Sequence, residues 1–166
     1  MKHKPITIGA IIVVLVAAWA LFRPELLFVN KSVSESFPVS GTAVVAPAEK
    51  SMEQPELTGQ FHTVAHDTKG TAAIFKLADG QRVLRLTNFM TSNGPDVRVL
   101  LVAASDAGDS DAVKKAGYVE LGKLKGNRGN QVYPLPDDLD LSNVRSVTIW
   151  CARFAVSFGA AELSKA

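Results

Sequence analysis

The sequence predicts an all-β domain, an antiparallel β-sandwich of jelly-roll-like form, behind one N-terminal transmembrane helix. Three observations carry this expectation. Residues 6–22, ITIGAIIVVLVAAWALF, form one uncharged run with 15 apolar residues among 17. From residue 57 to 166 the chain breaks into short alternating segments divided by Gly, Asn, Asp and Pro, with no strand–helix–strand rhythm. Between two of those segments stands Asp79-Gly80, a dipeptide suited to the positive φ angles of a hairpin turn. At 166 residues there is room for about one core.

The apolar run comes first. At about 1.5 Å per residue it reaches the lower limit of a bilayer-spanning helix. Lys2 and Lys4 precede it, which favours an N-terminus held in the cytoplasm, and Trp19 and Phe22 fall where interfacial aromatics belong. A cleaved signal peptide is the competing reading, because Ala18-Trp19-Ala20 has a small-x-small form. The run exceeds the usual apolar region of about 7–15 residues and continues past that point, so an uncleaved single-pass anchor at 1–22 is preferred. Both readings place the C-terminal domain outside the cytoplasm, periplasmic or extracellular, with the cell membrane as one partner. No cysteine stands near the segment to take a lipid.

Residues 23–56 hold four prolines, three basic and five acidic residues and little periodicity, and are expected to be a spacer. The domain proper is expected at 57–166. Its best local signal is GTAAIFKLADGQRVLRLTNF, residues 70–89. A two-residue Asp79-Gly80 turn pairs Ala78 with Gln81 and Phe75 with Leu84, and puts Phe75, Leu77, Leu84 and Leu86 on one face. Further strands are expected at 58–65, 96–103, 118–125, 130–135, 147–152 and 154–158, with a helical turn at 111–116.

Composition narrows the chemistry. A nearly balanced charge, 18 Lys and Arg against 16 Asp and Glu with no dense basic stripe, gives nucleic-acid binding no support. One cysteine, Cys151, excludes an internal disulfide, a CxxC redox pair and a multi-thiolate zinc site. Alternation in SVTIWCARFAVSF places Val147, Ile149 and Cys151 on one face, with Phe154, Val156 and Phe158 meeting them across a turn at 152–153, and Trp150 pointing the other way. On that parity Cys151 packs in a β-core, where free cysteines are commonly found. A reactive thiolate needs exposure and a cationic neighbour instead. His62 and His66 lie about 13 Å apart on a continuous strand, too far to share a metal. No metal or cofactor is expected, and no Gly-rich phosphate loop, GxSxG elbow or HExxH motif points to an enzyme. Two loops, Asn93-Gly94-Pro95-Asp96 and 126–131, combine turn residues with exposed polar groups. They read either as tight connections or as the rim of a ligand site formed by Asn93, Asp96, Asn130 and Gln131.

The NGPD motif at 93–96, GNRGNQVY at 126–133 and IWCARFAVSF at 149–158 occur in that order, and together they resemble the DM13 family, also called electron transfer DM13. The likeness runs from about residue 57 to 163. A membrane segment, a short spacer and one such domain are similar to the bacterial anchored members. The resemblance implies a β-sandwich module and a redox role through the motif cysteine, here Cys151, beside Trp150, with an exported redox protein as partner. The alternative is a non-catalytic binding or adhesion module for a glycan, an envelope component or a partner protein, with Cys151 as core packing.

Overall fold

A computed structural model describes residues 4–22, 29–36, 54–105 and 107–166. Its first element is helix α1, Lys4–Phe22, along which Ile8, Ile11, Ile12, Val13, Val14, Leu15, Val16 and Trp19 are exposed. Such a helix lacks the polar stripe that an amphipathic helix turns to water. Among the described residues no helix is long and apolar enough to cross a membrane, so the transmembrane span expected at 6–22 is not established by the fold.

The strands form two sheets. In one, β1 (Ser32–Ser34), β8 (Arg128–Pro134), β5 (Arg82–Met90), β4 (Lys69–Lys76), β2 (Leu57–Gln60) and β11 (Ser164–Lys165) lie side by side in that order. The other runs β3 (His62–Thr63), β10 (Val156–Glu162), β9 (Ser146–Cys151), β6 (Val97–Val102), β7 (Tyr118–Lys123). Every pairing is antiparallel except β1 with β8. The inner faces enclose one core, to which β4 and β5 contribute Ile74, Leu84 and Leu86 and the second sheet Val99, Leu101, Val147, Ile149 and Phe158. The expected all-β, mainly antiparallel architecture is therefore present.

Four local expectations are corrected. The β4–β5 hairpin pairs Ile74 with Leu84 and Phe75 with Val83, one residue away from the expected register. The Leu77 amide donates to the Gln81 carbonyl, so the connection has three residues, 78–80, with Gly80 at φ +88°. A three-residue loop closing on a left-handed residue is the next hairpin type after the two-residue turn. One step of slip exchanges faces, so Ala72 and Ile74 join Leu84 and Leu86 in the core while Phe75 is half-buried on the other side.

The strand expected at 58–65 divides at buried Phe61, its two halves pairing in different sheets. Beyond Cys151, residues 152–155 form a turn and leave Phe154 67% exposed rather than facing the core. Part of the expected spacer is structured. Residues 32–34 add β1 to the edge of β8, where Gly129, at φ +100°, leaves no room for a side chain against the Val33 backbone. An added strand satisfies an edge that would otherwise offer unpaired amides.

A second apolar cluster covers the outer face of the β6–β9–β10 sheet. Helix α2, Ser110–Ala116, is capped by the Asp109 carboxylate, which accepts from the Asp111 and Ala112 amides. Its Val113 packs with Ala107, Leu100, Val102, Ala160 and Trp150. The helical turn expected at 111–116 is thus present.

Candidate functional site

Three segments converge at one end of the sandwich. The first leaves β5 as Thr91-Ser92-Asn93-Gly94-Pro95-Asp96 and enters β6. A Cβ on Gly94 would come within 2.7 Å of Val97 Cγ2 and 2.9 Å of the Phe158 ring, so glycine lets this loop lie flat on the core. The second segment, 124–127, joins β7 to β8. The third is 29–31, leading into β1.

Asn127, nearly buried, ties the three together. Its Nδ2 donates to Asn30 Oδ1 at 2.7 Å and to the Thr91 carbonyl at 3.2 Å, while its Oδ1 accepts from the Lys31 amide at 2.7 Å. Its backbone carbonyl accepts from the Thr91 amide. With amide and carbonyl of the side chain both used, Asn127 has no isosteric replacement, since a carboxylate there would lose both donated bonds.

Between these segments lies an open cleft of about 280 Å³, lined by Val29, Lys31, residues 92–97 and residues 123–127. Pockets that bury drug-sized molecules hold roughly 300–1,000 Å³. The cleft thus has room for a side chain or one small group.

Charge around the cleft is mostly paired. Arg98 grips the Asp96 carboxylate through both oxygens, at 3.1 and 2.9 Å, and reaches Glu120 at 2.8 Å. The Arg98 hydrogen bonds hold the Asp96 carboxyl below its usual range, against a smaller opposing effect of burial, with Lys123 and Arg153 adding attraction. Lys125 Nζ donates to both Glu35 oxygens at 2.8 Å and to the Val132 carbonyl, and lies 5.0 Å from the centre of the Tyr133 ring. Burial pushes the Glu35 carboxyl up, but hydrogen bonds from Lys125 and the Val132 amide, with the attraction of Lys125, outweigh it and leave the group below its usual value. Burial also drives the Tyr133 hydroxyl up to about 12. Lys31 and Lys123 are exposed and form no ion pair among the described residues.

The residues singled out in the sequence divide accordingly. Asn93 and Asp96 line the cleft. Gln131 does not reach it: fully buried, it accepts at Oε1 from the Lys125 amide, the Gly126 amide and the Tyr133 hydroxyl, and donates from Nε2 to the Gly126 carbonyl. It is a positioning residue for the 124–127 wall. Asn130 Oδ1 accepts from the Asn88 amide, supporting the left-handed Asn88, φ +49°, at a bulge in β5. That extra residue turns Phe89 into the core, where its ring meets Phe61 edge-on at 5.3 Å. Trp150 faces the second cluster, away from the cleft.

Cys151 is fully enclosed. Its strand partners are Val97 and Val156, and the next amide, Ala152, donates to the Asp96 carbonyl at 2.8 Å. The thiol therefore sits one residue inside the NGPD wall of the cleft, within the apolar core. His66 packs on Phe158 with its ring tilted by 51° and the centroids 4.0 Å apart. Among the described residues no group of three or more His, Cys, Asp or Glu is placed to hold a metal.

Sequence reading missed Asn30, Lys31, Glu35 and Lys123. The signal for three of them was the alternation Ser32-Val33-Ser34 between Lys31 and Glu35, too short to mark a strand against its proline-bearing surroundings. A family model described as Electron transfer DM13 matches residues 60–163. No curated protein and no solved structure matches the chain.

Proposed function

Since this chain belongs to the Electron transfer DM13 family, we propose that it is a redox-related module, tethered by its N-terminal apolar segment at the outer side of the cell membrane, that docks an exported redox protein in the cleft of residues 92–97 and 123–127. The observation that carries this reading is the convergence of two family motifs on one cleft. NGPD supplies one wall, and GNRGNQVY supplies Gly126 and Asn127 of the other together with Gln131, which holds it. Tethering rests on the uncharged run 6–22 and the lysines before it. On this reading the partner brings the redox centre.

A photo-crosslinking side chain at Asn93, compared with one at Asp79 on the hairpin tip at the other end of the sheet, tests the docking surface in intact cells. Cross-links to one exported redox protein from position 93 alone are expected. Equal capture from both positions, or none from 93, overturns the proposal.

A second reading, a non-catalytic adhesion module for a glycan or another envelope component, is favoured by the complete burial of Cys151. It uses the same cleft. In that case the position-93 adducts carry envelope material in place of a redox protein.

A further inference from the structure

We infer that the cleft receives the carboxylate of an acidic side chain presented by the docking partner, with Lys31 and Lys123 as its counter-charges. This rests on the docking reading above and names the chemistry the partner must carry. The cleft's carboxylate and its third lysine are already committed. Both oxygens of Asp96 are held by Arg98, and Lys125 Nζ by Glu35. Lys31 and Lys123 also line the cleft, are exposed and form no ion pair among the described residues; Lys123 attracts the Asp96 carboxylate from a distance, but both oxygens of that group are held by Arg98, so the charge offered to an incoming group is positive.

The rest of the lining agrees. Val29, Pro95, Val97 and Leu124 give an apolar surface for a methylene stem, and Asn93 places a side-chain amide beside them. A volume of about 280 Å³ takes one glutamate side chain. Among the described residues no aromatic side chain lines the cleft, which leaves a sugar ring without a flat surface there for its C–H face and favours a protein over an acidic glycan. Lys31 belongs to the segment before β1, so the site is complete only with that strand docked on β8.

The test uses the full chain, ¹⁵N-labelled, in detergent micelles. It is titrated with a capped hexaglutamate peptide, a capped hexaglutamine peptide and an oligogalacturonate, reading the Gly94 and Gly126 amides. Saturable shifts with hexaglutamate alone are expected. Binding becomes at least tenfold weaker in the Lys31→Gln/Lys123→Gln double variant and is kept in the Lys31→Arg/Lys123→Arg variant. Both lysines are exposed, and an unchanged spectrum elsewhere shows that the variants are folded. No saturable shift, equal affinity in the glutamine variant, or preference for oligogalacturonate overturns the inference. If position-93 cross-links to a redox protein persist in the glutamine variant, the charge assignment fails while the docking reading stands. If those cross-links are absent from the unsubstituted protein, the docking reading itself has failed.

Discussion

Gln131 holds both backbone polar groups of Gly126: Nε2 donates to the Gly126 carbonyl at 2.7 Å while Oε1 accepts from the Gly126 amide at 3.3 Å. The same oxygen accepts from the Lys125 amide at 3.1 Å and the Tyr133 hydroxyl at 2.8 Å. A fully buried amide side chain thus substitutes for strand pairing where the chain turns from β7 to β8, and it does so directly behind a wall of the cleft.

Replacing Gln131 by Leu keeps the volume and strands these groups without partners. An unsatisfied buried polar group costs about 1–3 kcal/mol, and relaxation lets some of them find water or each other. We expect a loss of about 2–4 kcal/mol in denaturant unfolding, with faster amide exchange at Lys125 and Gly126. A loss below about 1 kcal/mol would show that the network contributes little.

Glu35 fastens β1 through Lys125 Nζ and the Val132 amide. Its folded pKa lies below the unfolded one, so its contribution is complete above the unfolded value of about 4.5 and disappears as pH falls through the folded value. The protection of the Val33 and Ser34 amides, the slowing of their exchange relative to that of an unstructured chain at the same pH, should therefore fall below about pH 4.5, and Glu35→Gln should show the lower protection already at neutral pH. Protection factors at these amides that are the same at pH 7 and pH 3 would remove Glu35 as the fastening.

Cys151 tests the motif thiol directly. Enclosed beside Val97 and Val156, it should react with thiol reagents only at the rate of opening, and stoichiometrically in denaturant. Cys151→Ser puts a hydroxyl among apolar groups and should cost roughly 1–3 kcal/mol. Cross-linking from position 93 should survive it. Fast labelling of the folded protein, or loss of partner capture by a folded Cys151→Ser variant, would instead place the thiol in the redox chemistry itself.

How far the sequence reached is clearest at the hairpin and the two loops. Alternation found both strands and named Leu84 and Leu86 correctly as core. The register depended on whether Asp79-Gly80 closed a two- or three-residue loop, and both placements give an alternating ladder. Ile74 is in the core and Phe75 is not because the facing sheet must be met by one of them. In the same way the loop residues read as either tight connections or a ligand rim: the structure places Asn93 and Asp96 along the cleft, while Asn130 and Gln131, of the same polarity, hold backbone.

By itself the sequence determined the all-β class, the apolar N-terminal segment, the inward parity of Cys151 and, through three ordered motifs, the family. These depend on residue types and on a period of two, which are local properties. The tertiary structure decided the hairpin register, the addition of β1 to β8 and the meeting of Lys31, Asn93 and Asn127 at one cleft. Those depend on contacts between residues tens of positions apart, such as Asn127 with Asn30, 97 residues away. No local pattern encodes them, because the free energy that selects them appears only when two sheets close on one core.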